Sequence, residues 1–343
     1  MHILVTGGAG YIGSHVVKQL IEDTDNSVTI LDNLSTGHDA TVKSLKKIFE
    51  DNERAGRTFT FIQAELSDFK LIDTIFSENN FDALIHFAAS IVVPESVENP
   101  LKYYMNNTVN TTNVINMCVK YSVAKMIFSS TAAVYGDAKE IPVKETTIKS
   151  PINPYGWSKL MSEQVITDAC HAYEGFDAVI LRYFNVAGAD TQNRIGQSFP
   201  DATHLIKVAA QTAIGTREQM SLFGEDYETK DGTCERDYIH VDDLASAHLK
   251  ALKYLEREDT NSPDVFNIGY GHGFSVAEVI ETMKEVSEVD FKVEKGPRRL
   301  GDPAILISDN SKTKTVLQWS PQYDDIKLIC QTALAWEKRI SKS

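Results

Sequence analysis

Cysteine is scarce in this chain, and positive charge is in deficit. The four cysteines (Cys118, Cys170, Cys234, Cys330) fall at no CxxC or His-rich spacing, so neither a disulfide framework nor a zinc site is indicated, and reduced structural thiols are expected. Against 48 Asp and Glu there are only 34 Lys and Arg, a formal net charge of -14. This excludes bulk electrostatic attraction to nucleic acid or to an anionic membrane. A phosphate-bearing ligand must then be held by a few local cations and backbone amides. Long apolar runs are also missing: none approaches the roughly 20 residues of a membrane span. Ile3-Leu4-Val5 begins a strand too early to leave room for a signal peptide, so the expected location is cytoplasmic. With 42% hydrophobic and 24% charged residues, the 343-residue chain has the make-up of a soluble globular protein of one large domain or two smaller ones.

What is present begins with a strand, a glycine loop and a helix, in that order. His2 to Thr6 reads as a buried strand, Gly7-Gly8-Ala9-Gly10-Tyr11-Ile12-Gly13 follows, and Ser14 to Glu22 is amphipathic. Glycines 7, 10 and 13 allow a tight turn, let backbone approach a pyrophosphate, and let the helix pack closely on the strand with its N-terminus toward the anion. Val28-Thr29-Ile30-Leu31 is a second strand ending in Asp32, nineteen residues after Gly13. A carboxylate there accepts bonds from both ribose hydroxyls and repels a 2′-phosphate, which points to NAD over NADP; the plainer role is a helix cap before Asn33-Leu34-Ser35.

The alternation continues. Asp39 to Arg57 reads as a solvated helix and loop, and Phe59 to Ala64 as a strand before Glu65. Ala83-Leu84-Ile85-His86-Phe87-Ala88-Ala89 is a fourth strand running into small residues. Pro100 to Tyr121 reads as one long helix, in which Asn107 either contacts the cofactor or braces the sheet, because asparagine inside a helix is costly unless used. Met126-Ile127-Phe128-Ser129-Ser130-Thr131 ends in three hydroxyls, and Val179 to Asn185 is the sixth strand. Repeated strand-helix alternation implies an α/β fold with a doubly wound, Rossmann-type parallel sheet and its ligand at the strands' carboxyl ends. The expected division is a cofactor-binding domain over 1–185, carrying the catalytic pair, and a smaller mixed α/β substrate domain over 186–343, with some segments returning to the first. From Trp319 on, Ile326, Ile329, Cys330, Ala333 and Leu334 mark a final amphipathic helix.

Tyr155-Gly156-Trp157-Ser158-Lys159 supplies the chemistry. On a helix, residues four apart share a face and rise about 6 Å, so the Lys159 ammonium is placed to favour the Tyr155 phenolate and lower its pKa toward neutrality. Tyr155 is then a base at pH 7. A Tyr and a Lys at this spacing more often face solvent; the nucleotide loop is what singles this pair out. Thr131, at the strand edge that a bound cofactor would meet, either relays hydrogen bonds between a substrate hydroxyl and the phenol or satisfies its own backbone.

Together, the glycine loop, Asp32, Ser129-Ser130-Thr131, Tyr155 with Lys159, and Arg182-Tyr183-Phe184-Asn185 resemble the extended short-chain dehydrogenase/reductases. Within these the chain is similar to the UDP-glucose 4-epimerase family over almost its whole length. The narrower likeness rests on Ser130-Thr131-Ala132-Ala133-Val134-Tyr135-Gly136, on Asp231 to Val241, and on Arg298-Arg299-Leu300-Gly301-Asp302.

The resemblance implies a tightly bound NAD, regenerated each cycle, held by Gly7, Gly10, Tyr11, Ile12, Gly13, Asp32, Asn33, Glu65, Leu66, Phe87, Ala88, Ala89, Asn107, Ser129, Ser130, Tyr183 and the catalytic pair. It makes Tyr155 the base, Lys159 its activator and Thr131 their neighbour. A UDP-hexose would meet Thr131, Tyr155, Phe184, Asn185, His204, Leu205, Ser221, Leu222, Phe223, Arg236, Tyr238, Arg299 and Asp302, with the two arginines on the phosphates and Phe223 along the uracil. Epimerisation at C4 by oxidation, rotation of the 4-keto sugar and re-reduction is the implied reaction, with no metal. A homodimer is implied too, through one helix ending near Tyr121 and one containing Lys159.

Some positions depart from the family pattern. Glu65 stands where Asp is common, Ile91 where some members have a lysine, and Asn110 where glycine is frequent. Lys207 stands where proline is frequent, which is expected to loosen the turn after His204. By gapless reading from Asp302, Leu306 falls at the family's gate beside the sugar. Its intermediate size implies UDP-glucose and UDP-galactose as the main pair, with an N-acetyl sugar epimerase of single or dual specificity as the alternative. A 4,6-dehydratase needs acids where Ala132 and Ala133 stand; a silent NAD-binding sensor has no use for Thr131, Tyr155, Lys159 and both arginines.

Overall fold

The computed structural model describes residues 1–200, 203–257, 262–299 and 302–342. In chain order the first half forms β1 (His2–Thr6), α1 (Tyr11–Asp23), β2 (Ser27–Asp32), α2 (Asp39–Asp51), β3 (Phe59–Gln63), α3 (Phe69–Glu78), β4 (Ala83–His86), α4 (Val93–Glu98) and α5 (Pro100–Tyr103). A π-helical turn, Tyr104–Val109, leads into α6 (Asn110–Lys120), then β5 (Lys125–Thr131), α7 (Pro154–Ala172) and β6 (Asp177–Tyr183). The second half adds β7 (Asn185–Ala187), α8 (Leu205–Ala213), β8 (Met220–Phe223), β9 (Glu235–Arg236), β10 (Tyr238–His240), α9 (Val241–Tyr254) and β11 (Asp264–Ile268). It closes with β12 (Phe274–Ser275), α10 (Val276–Ser287), β13 (Val293–Gly296), β14 (Ile305–Leu306), α11 (Ser311–Val316) and α12 (Ile326–Ile340).

Among the described residues the main sheet has seven strands in the order β11-β6-β5-β4-β1-β2-β3, with β1–β2, β2–β3, β1–β4 and β4–β5 paired in parallel. Strand order reverses beside β1, which neighbours both β2 and β4. In a doubly wound sheet this is where strand ends part and a ligand enters. The strands inside edge strand β3 are largely buried on both faces, so they read as continuous apolar runs rather than alternating ones. Leu4, Leu31, Leu84, Met126, Phe128 and Ile180 form the core with Ile72, Ile75 and Phe76 of α3, Val114 and Cys118 of α6, and Ile166 of α7. Each such side chain contributes about 1.5–3 kcal/mol by its burial.

Two compact units emerge. The first holds Met1–Val134, Pro151–Arg182 and Ala245–Phe266; the second holds Tyr135–Ser150, Tyr183–Leu244 and Asn267–Ser343. Ala245–Phe266 thus lies with the first unit and Tyr135–Ser150 with the second. Tyr135–Ser150 joins the second unit because Tyr135 donates to the Asn267 side chain at 2.7 Å and Val143 exchanges backbone bonds with Ile307 and Asp309. In the second unit α8, α10 and α12 pack together beside the small sheets β7–β10, β12–β9–β14 and β8–β13.

Two expectations are corrected. The helix over Pro100–Tyr121 is interrupted by the π turn. Lys207 does not loosen a turn: it lies in α8, 5% exposed, ion-paired with Glu337 of α12, and also donates to the Gln197 carbonyl at 2.8 Å. A proline there has no side-chain donor to bridge α8 and α12.

Candidate active site

The nucleotide end of the first unit is built by the loop after β1. Gly10 starts α1 without a side-chain cap, leaving the first-turn amides to a ligand anion. A Cβ on Gly13 would run into the Gly7 carbonyl, so only glycine allows α1 to seat this closely on β1. Asp32, 6% exposed at the end of β2, accepts from Ala9 N at 3.0 Å and Leu34 N at 2.8 Å. Burial raises its carboxyl pKa, while these two amides pull it down. Asn33 donates to Glu65 at 2.9 Å, which joins the ends of β2 and β3 where an adenosine would lie. Leu66 is buried; Tyr11, Ile12, Phe87, Ala88 and Ala89 are half-buried. The donor set, carboxylate and open helix terminus fit a dinucleotide.

The catalytic pair sits on α7. Asn153 caps this helix by accepting from Gly156 N at 2.8 Å, and Pro154 follows at the first helical position. A Cβ on Gly156 would lie 2.8 Å from the Ala133 carbonyl oxygen, so glycine lets α7 close on the end of β5. There the Tyr155 phenol lies beside Thr131, whose Oγ1 accepts from Ala133 N at 3.1 Å. The local backbone role is thus present, with Ala133 N donating to the Thr131 hydroxyl. Lys159, 3% exposed on the same face, donates from Nζ to the Ser129 carbonyl at 3.0 Å and lies 4.9 Å from the Phe128 ring centroid.

The expected lowering of the phenol is not what this arrangement gives. Burial pushes the Tyr155 phenol up, with the neighbouring Thr131 hydroxyl working the other way. Burial brings the Lys159 ammonium down to about 7, and Glu163 opposes that fall. An apolar setting favours both neutral forms, and the ammonium's hydrogen bond goes to a neutral carbonyl.

The side chains of Asn107 and Ser130, both expected near the cofactor, are engaged within the protein. Both amide protons of Asn107 are used, on the Ser90 carbonyl and on Ser158 Oγ, each at 2.9 Å, and its Oδ1 accepts from Ser90 N at 2.8 Å. It braces the loop after β4 against α7 from within the π turn. The Ser130 hydroxyl, fully buried, donates to Glu163 Oε1 at 2.5 Å. Ser129 Oγ meets His248 Nε2 at 3.2 Å.

Sequence reasoning missed Glu163, Tyr103 and His248. The Tyr103 ring stands edge-on to Tyr155 at 6.4 Å, and His248 lies 4.9 Å from the Phe87 ring. Glu163 was detectable as an acid one further turn along the Tyr155–Lys159 face. His248, more than a hundred residues from Ser129, gives no local signal.

In the second unit Arg236 Nη2 lies 4.0 Å from Asp302 Oδ1, and the Arg299 guanidinium stacks 3.8 Å above the Phe223 ring. Two expected phosphate cations, the expected uracil platform and the ribose acid thus form two adjacent pairs on β8, β9 and the segment before β14. Leu306 is buried on β14, paired with Arg236. Asn185 pairs with Tyr238 between β7 and β10; Tyr238, Phe184 and Leu222 are buried, Tyr183 half-buried, Ser221 exposed. His204, exposed, precedes α8 and half-buried Leu205 begins it. Leu300 and Gly301 of the arginine motif lie outside the described residues.

A Gly-loop strand and helix, a β2 carboxylate and a Thr-Tyr-Lys cluster on β5 and α7 have a known counterpart, and residues 3–269 match it. The chain belongs to the NAD dependent epimerase/dehydratase family. A UDP-glucose 4-epimerase of Azospirillum brasilense is 45% identical over 341 residues, covering 99% of this chain and 93% of that protein. Among solved structures, the UDP-Glc/GlcNAc 4-epimerase of Campylobacter jejuni is 56% identical, covers 98% of this chain and 99% of its own, and superposes with a TM-score of 0.84. The UDP-glucose 4-epimerase of Bifidobacterium longum, in complex with NAD+ and UDP, is 35% identical, covers 99% and 98%, and has a TM-score of 0.91. Among the described residues no helix is long and apolar enough to cross a membrane, and no cluster of His, Cys, Asp and Glu could hold a metal ion.

Proposed function

We propose that this chain interconverts UDP-glucose and UDP-galactose by epimerisation at C4. The observation that carries it is the placement of the buried Tyr155 phenol beside Thr131 on a helix whose next turn presents buried Lys159. Bound NAD supplies a hydride acceptor that becomes the donor later in the same cycle. Tyr155 takes the proton of the sugar 4-hydroxyl and returns it; Thr131 orients that hydroxyl against the phenol; a charged Lys159 favours the phenolate. Arg236 and Arg299 are the cations that suit a diphosphate. Holding the nucleotide firmly leaves the hexose free to turn over.

Similarity to the Campylobacter jejuni enzyme, and a leucine at position 306, support turnover of N-acetylated UDP-hexoses as a second activity. A homodimer belongs to the same proposal. Val97, Leu101 and Met105 are 63%, 72% and 59% exposed, and Trp157 and Met161 of α7 are exposed as well, an apolar face that a second copy would cover.

The test is incubation of the purified protein with UDP-galactose and no added NAD, with the products resolved by chromatography. UDP-glucose is the expected product. A dehydrated keto sugar would replace the epimerase with a dehydratase, and no product with NAD supplied would reject both.

A further inference from the structure

Tyr155, Lys159 and Glu163 are successive members of a four-residue repeat on α7, so they stand roughly along one face with about 6 Å of rise at each step. Glu163, 4% exposed, does not reach solvent. Its Oε1 accepts from Ser130 Oγ at 2.5 Å and from Arg182 Nε at 2.9 Å, and its Oε2 accepts from Arg182 Nη2 at 2.6 Å. Arg182, 2% exposed, comes from β6, and Ser130 from β5 between the residue that holds Lys159 and the residue that holds Tyr155. A buried ion pair of this kind is weak as a source of stability against an apolar replacement. Here it has a second effect, because it lies beside the group whose charge the reaction needs.

The geometry points to Glu163 and Arg182 as positioning residues that set the charge of Lys159. With a phenolate at Tyr155, the line along α7 and into β6 runs negative, positive, negative, positive. The carboxylate favours the ammonium one turn away more than it disfavours the phenolate two turns away, about 12 Å along the axis. Arg182 moderates that effect from beyond. The other groups around Lys159 do not supply a counter-charge: on β5 it meets the Ser129 carbonyl and the Phe128 ring, and His86 of β4 is neutral, its pKa brought down to about 3 by burial. Through Ser130 the same carboxylate pins the strand end that holds both members of the pair.

This rests on the epimerase reading, and its test separates the two. In holoenzyme labelled at lysine Cε with carbon-13, the Lys159 resonance is assigned by its loss in Lys159→Arg and titrated without any turnover. Glu163→Gln removes the anion and exposes Lys159 to Arg182, so its midpoint moves down by about one pH unit. Arg182→Gln leaves the anion unmoderated, and the midpoint moves up. Kinetically, Glu163→Gln lowers kcat about tenfold with KM for UDP-galactose within about twofold, moves the alkaline limb of kcat to lower pH, and is largely rescued by Glu163→Asp. A merely structural pair moves stability in the same direction in both variants and leaves the Lys159 midpoint in place; that outcome overturns the inference. If Glu163→Gln does not fold, the upward shift in Arg182→Gln decides. A wild-type protein that titrates as described but turns over no UDP-hexose contradicts the epimerase reading alone.

Discussion

Lys159 donates to the Ser129 carbonyl at 3.0 Å, which fixes the ammonium to the strand end whose Thr131, two residues on, lies beside the Tyr155 phenol. Strand β5 and helix α7 therefore act as one frame. The frame closes because Gly156 has no side chain to meet Ala133 and because Asn153 starts the helix at that point. Reactivity at Tyr155 follows from packing as much as from the identity of the residue.

Removing the phenol hydroxyl is expected to remove the acid–base step alone. Tyr155→Phe should lower kcat about 10³-fold, within the usual range for general acid–base groups, and Thr131→Val by less, about 10-fold to 100-fold, because Thr131 only orients the hydroxyl. KM for UDP-galactose should change little in either, since the cations proposed for the diphosphate are Arg236 and Arg299. Steady-state kinetics check both; a large rise in KM with kcat intact would make these residues binding groups.

His86 is expected to limit stability in acid. It is fully buried between Thr6 and Thr111, at 2.7 and 2.9 Å, and burial holds its pKa at about 3. An unfolded histidine takes up a proton below about 6.5. Between those values the unfolded chain binds the extra proton, so stability falls as pH drops from about 6.5 to about 3. In His86→Gln, urea unfolding followed by circular dichroism should show a dependence on pH flatter by up to about 1.4 kcal/mol per unit in that window. An unchanged slope would mean that His86 is not the group responsible.

The buried pair between α8 and α12 should behave as a unit. Lys207→Met leaves Glu337 buried without its partner and should cost about 3–5 kcal/mol, whereas Lys207→Met with Glu337→Met should recover most of the loss. Thermal and urea denaturation of the three proteins measure this. Equal losses in the single and double variants would show that the pair is not coupled.

How much of this was legible in the sequence depends on the range of the interaction. The glycine loop, Asp32 and the apolar runs of β1, β2, β4 and β5 are local patterns, and the sheet follows from them. The π turn at Tyr104–Val109 was not legible, because Asn107 is set by Ser90 and Ser158, one of them 51 residues away. Lys207 was misread for a similar reason: its partner lies 130 residues on. Asn110 had no reading, and it donates to Asn106, which in turn donates to Ser90, extending the same brace. The sequence placed Tyr155 and Lys159 on one face correctly but not their electrostatics, since burial and a neutral carbonyl partner are properties of the packed state.

Leu306 should govern the size of sugar accepted. Leu306→Tyr is expected to lower kcat/KM for UDP-N-acetylgalactosamine at least tenfold while leaving that for UDP-galactose within about threefold. If wild-type protein does not turn over the N-acetyl sugar, only the second activity is removed. Equal losses on both sugars would show that residue 306 does not discriminate between them.

The central claim is that one bound cofactor takes the C4 hydrogen and gives it back to the other face of the same sugar. UDP-galactose carrying deuterium at C4 should be converted in ordinary water to UDP-glucose that keeps its deuterium at C4, read by mass spectrometry and proton NMR. Loss of that deuterium to solvent, with UDP-glucose still formed, would contradict the account, because C4 would then exchange by a proton route and not by hydride return.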